Sequence, residues 1–359
     1  MKIGFKNIMV LLALILGGSS CDSFLDVQPK GEVLEGDLLK DAKGFENALY
    51  GVYAKMGSTN LYGQNLSYSA LDLMAQYYTS TNNEEVEPLI KYDYTNTKAE
   101  DLFYNIWCDM YSNIAYANNV LEHLEKFSPA DMQFYNIYKG EALGLRAFMH
   151  FDLLRIFSEQ ITVNESADGI PYSTRFSLFA PDILKSKDVY KRIISDLRSA
   201  EQLLDDEELY ASASSNANFL KDQNIHFNLQ AVQATLARVY LTEGTLDSAL
   251  YYAQQVIQAP GLSLLDYTDI AGDLAGKLSS KETVFGIYSK NFAEPVIKIL
   301  HNSQTAYSFE MRYNIQQLYQ INGAGNDYRW GAWYTYNNTI KYWKLDKLTD
   351  TYVLNNTEY

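Results

Sequence analysis

Cysteine and histidine are scarce in this chain. Among its 359 residues there are two cysteines, Cys21 and Cys108. If Cys21 carries a lipid, as argued below, a single thiol is left and no internal disulfide can form. The four histidines are scattered and belong to neither an HExxH motif nor a cysteine–histidine cluster: His123, His150, His226 and His301. The sequence therefore gives no support for a zinc site, and we expect no metal and no cofactor.

A long apolar run is also missing. The run from Ile8 to Leu16 has about half of the roughly 20 residues that a membrane-spanning helix needs, so an anchor helix is not expected. It follows Lys2 and Lys6 and precedes small residues, which is the order of a secretory signal. Cys21 comes directly next, as in a bacterial lipobox, although a glycine stands where such boxes carry leucine. We predict a signal peptide over residues 1–20 and lipid attachment at Cys21; an ordinary secreted protein is the alternative.

Basic residues are fewer than acidic residues in this chain. The chain has 29 basic and 44 acidic residues. Residues 1–20 contain two lysines and no acid, so their removal leaves 27 basic and 44 acidic residues and a net charge of −17. Such a surface repels phosphate backbones, which argues against nucleic-acid binding. It also argues against membrane adhesion through a basic patch, and acyl chains must then hold the protein on the membrane.

Catalytic motifs are missing as well. There is no GxSxG elbow, and the stretch from Gly323 to Gly325 lacks the third glycine of a dinucleotide loop. Glycoside hydrolysis needs two carboxylates about 5 to 10 Å apart in a cleft. Adjacent acids such as Glu84 and Glu85 are poorly suited to that task. The sequence therefore predicts a protein that is not an enzyme.

Aromatic residues are abundant, with 30 tyrosines, 16 phenylalanines and four tryptophans. Aromatic faces stack on the C–H faces of sugars, and amides or guanidinium groups take up the hydroxyls. Two loop regions offer that mixture, and we predict that they bind ligand: Tyr77, Tyr78, Asn82 and Asn83 in the first, and Asn326, Arg329, Trp330, Trp333, Tyr334 and Tyr336 in the second. The alternative for each aromatic residue is packing against the helices.

Apolar residues recur with helical spacing over the first two thirds of the chain. It predicts helices over 45–56, 66–78, 99–127, 133–157, 186–204, 226–244 and 246–259. The last two form a pair close to the 34-residue tetratricopeptide (TPR) pattern. Cys108, Arg146 and His150 lie in strongly apolar helices. We expect Cys108 to be a buried small hydrophobe, Arg146 to bond a neighbouring acid or carbonyl, and His150 to be a hydrogen-bonded core residue.

After residue 259 the helical signal fades. Thr283 to Tyr288 is compatible with a short strand. Arg329 to Leu345 is rich in aromatic and β-branched residues, which predicts a β-hairpin with Asn337 and Asn338 as a two-residue turn. One face of that hairpin is expected to pack on the helices and the other to be available for ligand.

An ordered set of segments from about residue 21 to 290 resembles the SusD/RagB family, the surface lipoproteins of Bacteroidetes nutrient-uptake systems. The matching segments are CDSFLDVQP, FENALYGVYAKM, the helix with Trp107, Tyr111, Ile114, Ala117 and Asn118, GEALGLRAFMHFDLLRIF, Gly169-Ile170-Pro171, VYKRIISDLRSAEQLL, ATLARVYLTEGTLDSALYYAQQVI and KETVFGIY. No single segment is decisive, but their order and spacing are specific.

The resemblance implies a mainly all-α fold, a TPR-like scaffold of SusD type with an irregular loop-rich face and a small β-hairpin. Residues 21–258 are then the N-terminal helical region, with the TPR-like pair at about 226–259. Residues 259–359 begin a loop-rich C-terminal region that family members continue with further helix. A truncated reading frame, a fragment and a short family member each explain this.

In function, the resemblance implies a lipid-anchored, outward-facing protein of the outer membrane. It would capture an oligosaccharide and deliver it to a SusC-like TonB-dependent transporter. A RagB-like protein that takes up peptides is one alternative. A TPR-type scaffold whose partners are proteins alone is another.

Overall fold

Helices account for most of the computed structural model. It describes residues 38–80, 84–205, 218–266, 268–269, 281–289, 292–296, 299–300, 310–311, 319, 327–337, 342–345, 353–354 and 357–358. The α-helices are α1 Ala42–Met56, α2 Ala70–Met74, α3 Glu87–Ile90, α4 Thr97–Leu124, α5 Tyr135–Phe157, α6 Ser186–Leu204, α7 Leu229–Glu243, α8 Leu246–Ile257, α9 Ala293–Val296 and α10 Tyr328–Trp333.

The strands are short and pair two by two. They are β1 Tyr78–Ser80, β2 Asp168–Pro171, β3 Ile183–Lys185, β4 Glu310–Met311, β5 Tyr334–Asn337, β6 Tyr342–Leu345, β7 Val353–Leu354 and β8 Thr357–Glu358. Each pair is antiparallel: β1 with β4, β2 with β3, β5 with β6 and β7 with β8. These strands therefore form four short pairs beside a helical body, and not a central β-sheet.

The helical body is built around α5. Its sequence is apolar nearly all round, and most of its side chains are buried, because α4 packs on one side and α6 on the other. Helix α1 packs against α4, and α7 packs against α6. Two glycines of α5 allow the close approach. A Cβ atom at Gly144 would lie 2.5 Å from the Phe227 ring, and one at Gly140 would lie 2.6 Å from the Leu204 side chain.

Helices α7 and α8 form the predicted TPR-like pair. The Asn228 side chain accepts a hydrogen bond from the Ala231 backbone and so caps α7, and Gly244 ends it with φ of +93°. The rings of Tyr240 and Tyr252 stack with centroids 5.8 Å apart between the two helices. The predicted helix pair is confirmed, with ends a few residues inside the predicted ones.

A polar network crosses the centre of the body. Arg146 donates two hydrogen bonds to the Asp196 carboxylate, at 2.7 and 2.8 Å, and a third to the Asn118 side chain at 3.0 Å. The Tyr172 hydroxyl donates to the same carboxylate at 2.6 Å. The expectation that Arg146 bonds a neighbouring acid is thus confirmed.

His150 lies beside this network, fully buried. Its Nδ1 bonds the Arg146 carbonyl oxygen at 2.8 Å, and its Nε2 accepts from the Ser173 backbone N–H at 3.0 Å. Burial lowers the pKa of His150 to about 3, so the ring is neutral at physiological pH. The expected hydrogen-bonded core histidine is confirmed.

Three local predictions are wrong. Cys108 is exposed, since the buried side chains nearby are Ile106 and Met110, which project from the opposite side of α4. Thr283 to Tyr288 is not a strand; the Gly286 N–H donates to the Asn224 carbonyl, in the short 3-10 helix Gln223–Ile225, at 2.7 Å. Of the helix predicted over 66–78, only α2 forms.

The predicted hairpin is present but differs in its turn and its start. Tyr334 pairs with Leu345 and Asn337 with Tyr342, so residues 338–341 separate the strands where a two-residue turn was expected. The residues before Tyr334 form α10 and not strand. The Asp327 side chain accepts a hydrogen bond from the Arg329 backbone and caps that short helix.

Candidate functional site

The fold brings the two predicted loop regions together. Strand β1 contains Tyr78 and pairs with β4, and β4 also lies against β6 of the hairpin. Below them is a second, smaller hydrophobic core, which includes Tyr68, Leu73, Tyr78 and Leu89. Trp330 and Tyr334 pack against this core. The two regions therefore meet on this core, at one surface of the protein.

An aromatic cluster of Tyr319, Trp330 and Tyr334 forms the centre of that surface. The rings of Trp330 and Tyr334 are stacked, with centroids 4.8 Å apart and planes inclined by 22°. The hydroxyls of Tyr319 and Tyr334 are hydrogen-bonded at 2.9 Å. Burial raises the pKa of Tyr334. The contacts hold the rings as a fixed platform, which suits stacking on a flat ligand face.

Arg329 supplies a cation at the edge of the cluster. Its guanidinium lies 5.4 Å from the centre of the Tyr319 ring and 5.9 Å from that of Trp333. It also donates two hydrogen bonds to the Asp327 carboxylate, at 2.9 and 2.6 Å, and this pairing holds the pKa of Asp327 below its usual range. The side chain is half exposed, so N–H groups can reach ligand hydroxyls.

The individual tyrosines differ in their access to solvent. Tyr77 is 48% exposed and Tyr336 is 39% exposed, so both rings are accessible from solvent and their ligand contacts stay predictions. Tyr78 is 1% exposed and belongs to the core. Its predicted ligand contact is at odds with this burial, and the structure gives it the role of supporting the cluster from below.

Four predicted site residues lie outside the described part of the chain: Cys21, Asn82, Asn83 and Asn326. Their roles stay predictions.

One residue that the sequence reading missed is Asp72, on α2. Burial raises its pKa to about 6. Its negative charge adds to the effect of burial in raising the pKa of Tyr78.

A concave region lies between α4 and the loop from Pro171 to Pro181. It encloses a cavity of about 550 Å³, walled by Trp107 and Tyr111 on the helix and by Phe176 on the loop. No charged side chain lines it. Polar groups are few, which makes it less suited to a sugar than the aromatic cluster.

The described residues contain no group of three or more His, Cys, Asp or Glu side chains placed to hold a metal ion. Nor does this part of the chain include a helix with the length and apolar character needed to cross a membrane.

Residues 23–241 match a family model described as SusD-like, starch-binding and associating with the outer membrane. A SusD-like protein from Formosa agariphila is 28% identical over 212 residues, which are 56% of this chain and 38% of the relative. A second one from the same organism is 26% identical over 263 residues, 70% of this chain and 46% of the relative. The chain thus spans less than half the length of these curated relatives.

Solved structures show the same fold. A SusD superfamily protein from Bacteroides thetaiotaomicron superimposes with a TM-score of 0.66 at 21% identity, over 86% of this chain and 69% of that one. A laminarin-binding SusD-like protein gives 0.63 at 18% identity, over 87% and 73%. The predicted mainly helical, TPR-like architecture of SusD type is confirmed. With a family model matched over more than half of its length, the chain belongs to the SusD/RagB family.

Proposed function

We propose that this chain is a cell-surface lipoprotein that captures an oligosaccharide and delivers it to a SusC-like TonB-dependent transporter of the outer membrane. The observation that supports capture most directly is the aromatic cluster of Tyr319, Trp330 and Tyr334, with the half-exposed Arg329 at its edge. A stacked platform beside hydrogen-bond donors matches the two faces of a sugar, apolar C–H groups and hydroxyls. The roles of Tyr77, Trp333 and Tyr336 at the rim belong to the same proposal.

The first test is binding without turnover. Isothermal titration of the chain with starch-derived oligosaccharides, laminarin oligosaccharides and other plant and host glycans is expected to give a dissociation constant in the micromolar range or weaker for one class. Starch is suggested by the description of the family and laminarin by one structural neighbour. Product analysis after prolonged incubation is expected to find the glycan intact.

Peptides provide the contrasting ligand. If every glycan fails and unrelated peptides bind, the sugar proposal is wrong and the RagB-like alternative takes its place. Release of shorter sugars from a labelled glycan would instead indicate a hydrolase.

The anchor part of the proposal rests on the sequence. The basic start, short apolar run and small residues before Cys21 support a signal peptide over residues 1–20 and acylation of the cysteine. The description of the family as associating with the outer membrane supports the location. An outward-facing orientation follows if the ligand is captured from the medium.

Protein contacts are supported by an apolar face on α8. Leu246, Leu250 and Ile257 recur on one side of this helix and are 63%, 59% and 75% exposed. An exposed apolar stripe of this kind is typical of a contact surface. It agrees with a transporter partner and equally with the alternative of a TPR-type scaffold.

Affinity purification from mildly solubilised membranes separates these two functions. We expect a tagged full chain to bring down one predominant partner, a TonB-dependent barrel, identified by mass spectrometry. Recovery of a multi-enzyme assembly with no barrel would contradict transport and favour the scaffold. A chain with Leu250 and Ile257 both changed to serine is expected to recover less of the partner, since these exposed positions belong to the apolar face of α8.

A further inference from the structure

The cavity between α4 and the Pro171–Pro181 loop has a floor made by one face of the helix. Its lining residues on α4 recur three or four positions apart, so they share that face. Along it, the small side chains of Ser112 and Ala115 come between the rings of Tyr111 and Tyr116. Larger residues there would fill the space, so these two positions leave the cavity open.

Hydrogen bonds to α4 hold the first half of the loop in place. Three side chains of the helix bond the loop backbone, each at a different point. They are Tyr111, which donates to the Pro171 carbonyl at 2.7 Å, Asn118, which donates to the Ser173 and Arg175 carbonyls at 3.2 Å each, and Glu122, which accepts from the Phe176 N–H at 2.9 Å. Because moving the loop onto the floor would break these bonds, the cavity keeps its shape without a ligand.

The apolar side chains of the loop are exposed to water. Phe176, Leu178 and Phe179 all line the cavity, and they are 43%, 102% and 86% exposed. Apolar surface in water is unfavourable, and exposed apolar surface gathered at a concave region is typical of a binding site. A molecule held between the loop and α4 would remove part of that surface from water.

The lining determines which kind of molecule fits. Among the described residues, no charged side chain lines the cavity, so a charged ligand would find no counter-charge there. Trp107 and Tyr111 contribute rings from the helix and Phe176 contributes one from the loop, and aromatic rings pack favourably against other rings. The volume of about 550 Å³ is within the range of small-molecule sites, about 300–1,000 Å³.

We propose that this cavity is a further binding site, which takes an uncharged small molecule that carries an aromatic ring. The ring lies between the α4 floor and Phe176 of the loop. The site is separate from the aromatic cluster and does not depend on glycan capture. Its ligand class also differs, because recognition comes from ring contacts and burial of apolar surface, and not from hydrogen bonds to many hydroxyls.

The test uses N-phenyl-1-naphthylamine, a neutral aromatic compound whose fluorescence rises in apolar surroundings. Titration of the full chain is expected to show saturable binding of one molecule per chain, with a dissociation constant in the micromolar range. In competition, 2-naphthol is expected to displace this probe at a lower concentration than 1-decanol does. Decanol is the more hydrophobic competitor, so this order reports ring contacts and not partition onto any apolar surface.

The variant Ala115→Glu places a carboxylate in the floor of the cavity and is expected to weaken probe binding by about tenfold or more. Ala115 is partly exposed and glutamate is a good helix former, so we expect the fold to be kept. Phe176→Ala removes the ring of the loop and is expected to weaken binding by about fivefold. Asn105→Glu adds the same charge at an exposed position of α4 outside the lining, and this matched control should bind like the parent.

Contrary results are equally clear. Binding that does not saturate, or equal binding by the parent and Ala115→Glu, would show that the cavity is not the site. Preferential displacement by decanol would assign an aliphatic chain to the cavity and overturn the aromatic class. A parent dimer in sedimentation velocity that Ala115→Glu dissociates would show that a second copy covers the cavity, and the proposal would again be wrong.

The result is independent of glycan capture. Trp330→Ala is expected to bind the probe like the parent, because Trp330 does not line the cavity. If the parent chain binds the probe as expected but no glycan, the proposed glycan capture fails and this inference stands. If it binds glycan and not the probe, the reverse holds.

Discussion

Replacing Asp196 with alanine is expected to lower the free energy of unfolding by about 3–5 kcal/mol. The Asp196 carboxylate is the partner of two Arg146 N–H groups and of the Tyr172 hydroxyl. The Arg146 side chain is 9% exposed, so the change leaves a positive charge buried without a counter-ion. Urea denaturation followed by circular dichroism measures the loss.

The matched control lies on the same helix. Asp188 is in the first turn of α6 and contacts Lys191 at 2.9 Å, but both side chains are exposed. Asp188→Ala is therefore expected to show no measurable loss. Asp196→Asn retains the shape and part of the hydrogen bonding and should lie between the two. Equal stability of the Asp196 and Asp188 alanine variants would contradict a structural role for the buried network.

Replacing Trp330 with alanine is expected to weaken glycan binding by about thirtyfold or more, equivalent to about 2 kcal/mol. The change removes the larger ring of the stacked Trp330–Tyr334 pair, which is the ring proposed to receive a sugar face. Isothermal titration with the glycan preferred by the parent chain measures the loss. Trp330→Phe keeps a smaller ring and should show a smaller effect.

Trp107→Ala provides the decisive comparison. Trp107 lines the uncharged cavity between α4 and the Pro171–Pro181 loop, away from the aromatic cluster. We expect this variant, once its fold is verified by circular dichroism, to bind glycan like the parent. The reverse pattern, with binding lost in Trp107→Ala and kept in Trp330→Ala, would move the ligand site to the cavity.

Much of the helical body was predictable because its signals are local. The apolar repeat that defines α4 and the all-round apolar sequence of α5 lie within single stretches of chain. Long-range polar partners were not predictable in the same way. The hydroxyl of Tyr53 donates a hydrogen bond to the Glu141 carboxylate at 2.5 Å, although the two residues are 88 positions apart in the sequence. No sequence pattern in either segment identifies the other residue as its partner.

The sequence predicted which types of residue form the candidate site, but it did not predict how they are arranged in space. Aromatic residues with nearby amides and arginine identified both loop regions, but only the pairing of β1 with β4 shows that they meet. Tyr78, in the paired strand β1, is buried. Alternation along the chain could not separate a tyrosine that supports the site from one that faces the ligand, because neighbours such as Tyr77 and Tyr78 differ only in tertiary contacts.

The exposed thiol of Cys108 has a practical consequence. Of the two cysteines in this sequence, Cys108 is exposed and lies on the outer side of α4, and Cys21 is the predicted site of acylation. If Cys21 is acylated, a maleimide dye attaches to this sequence at one defined position. Such a label permits single-molecule distance measurements between this chain and a bound partner, without any engineered cysteine.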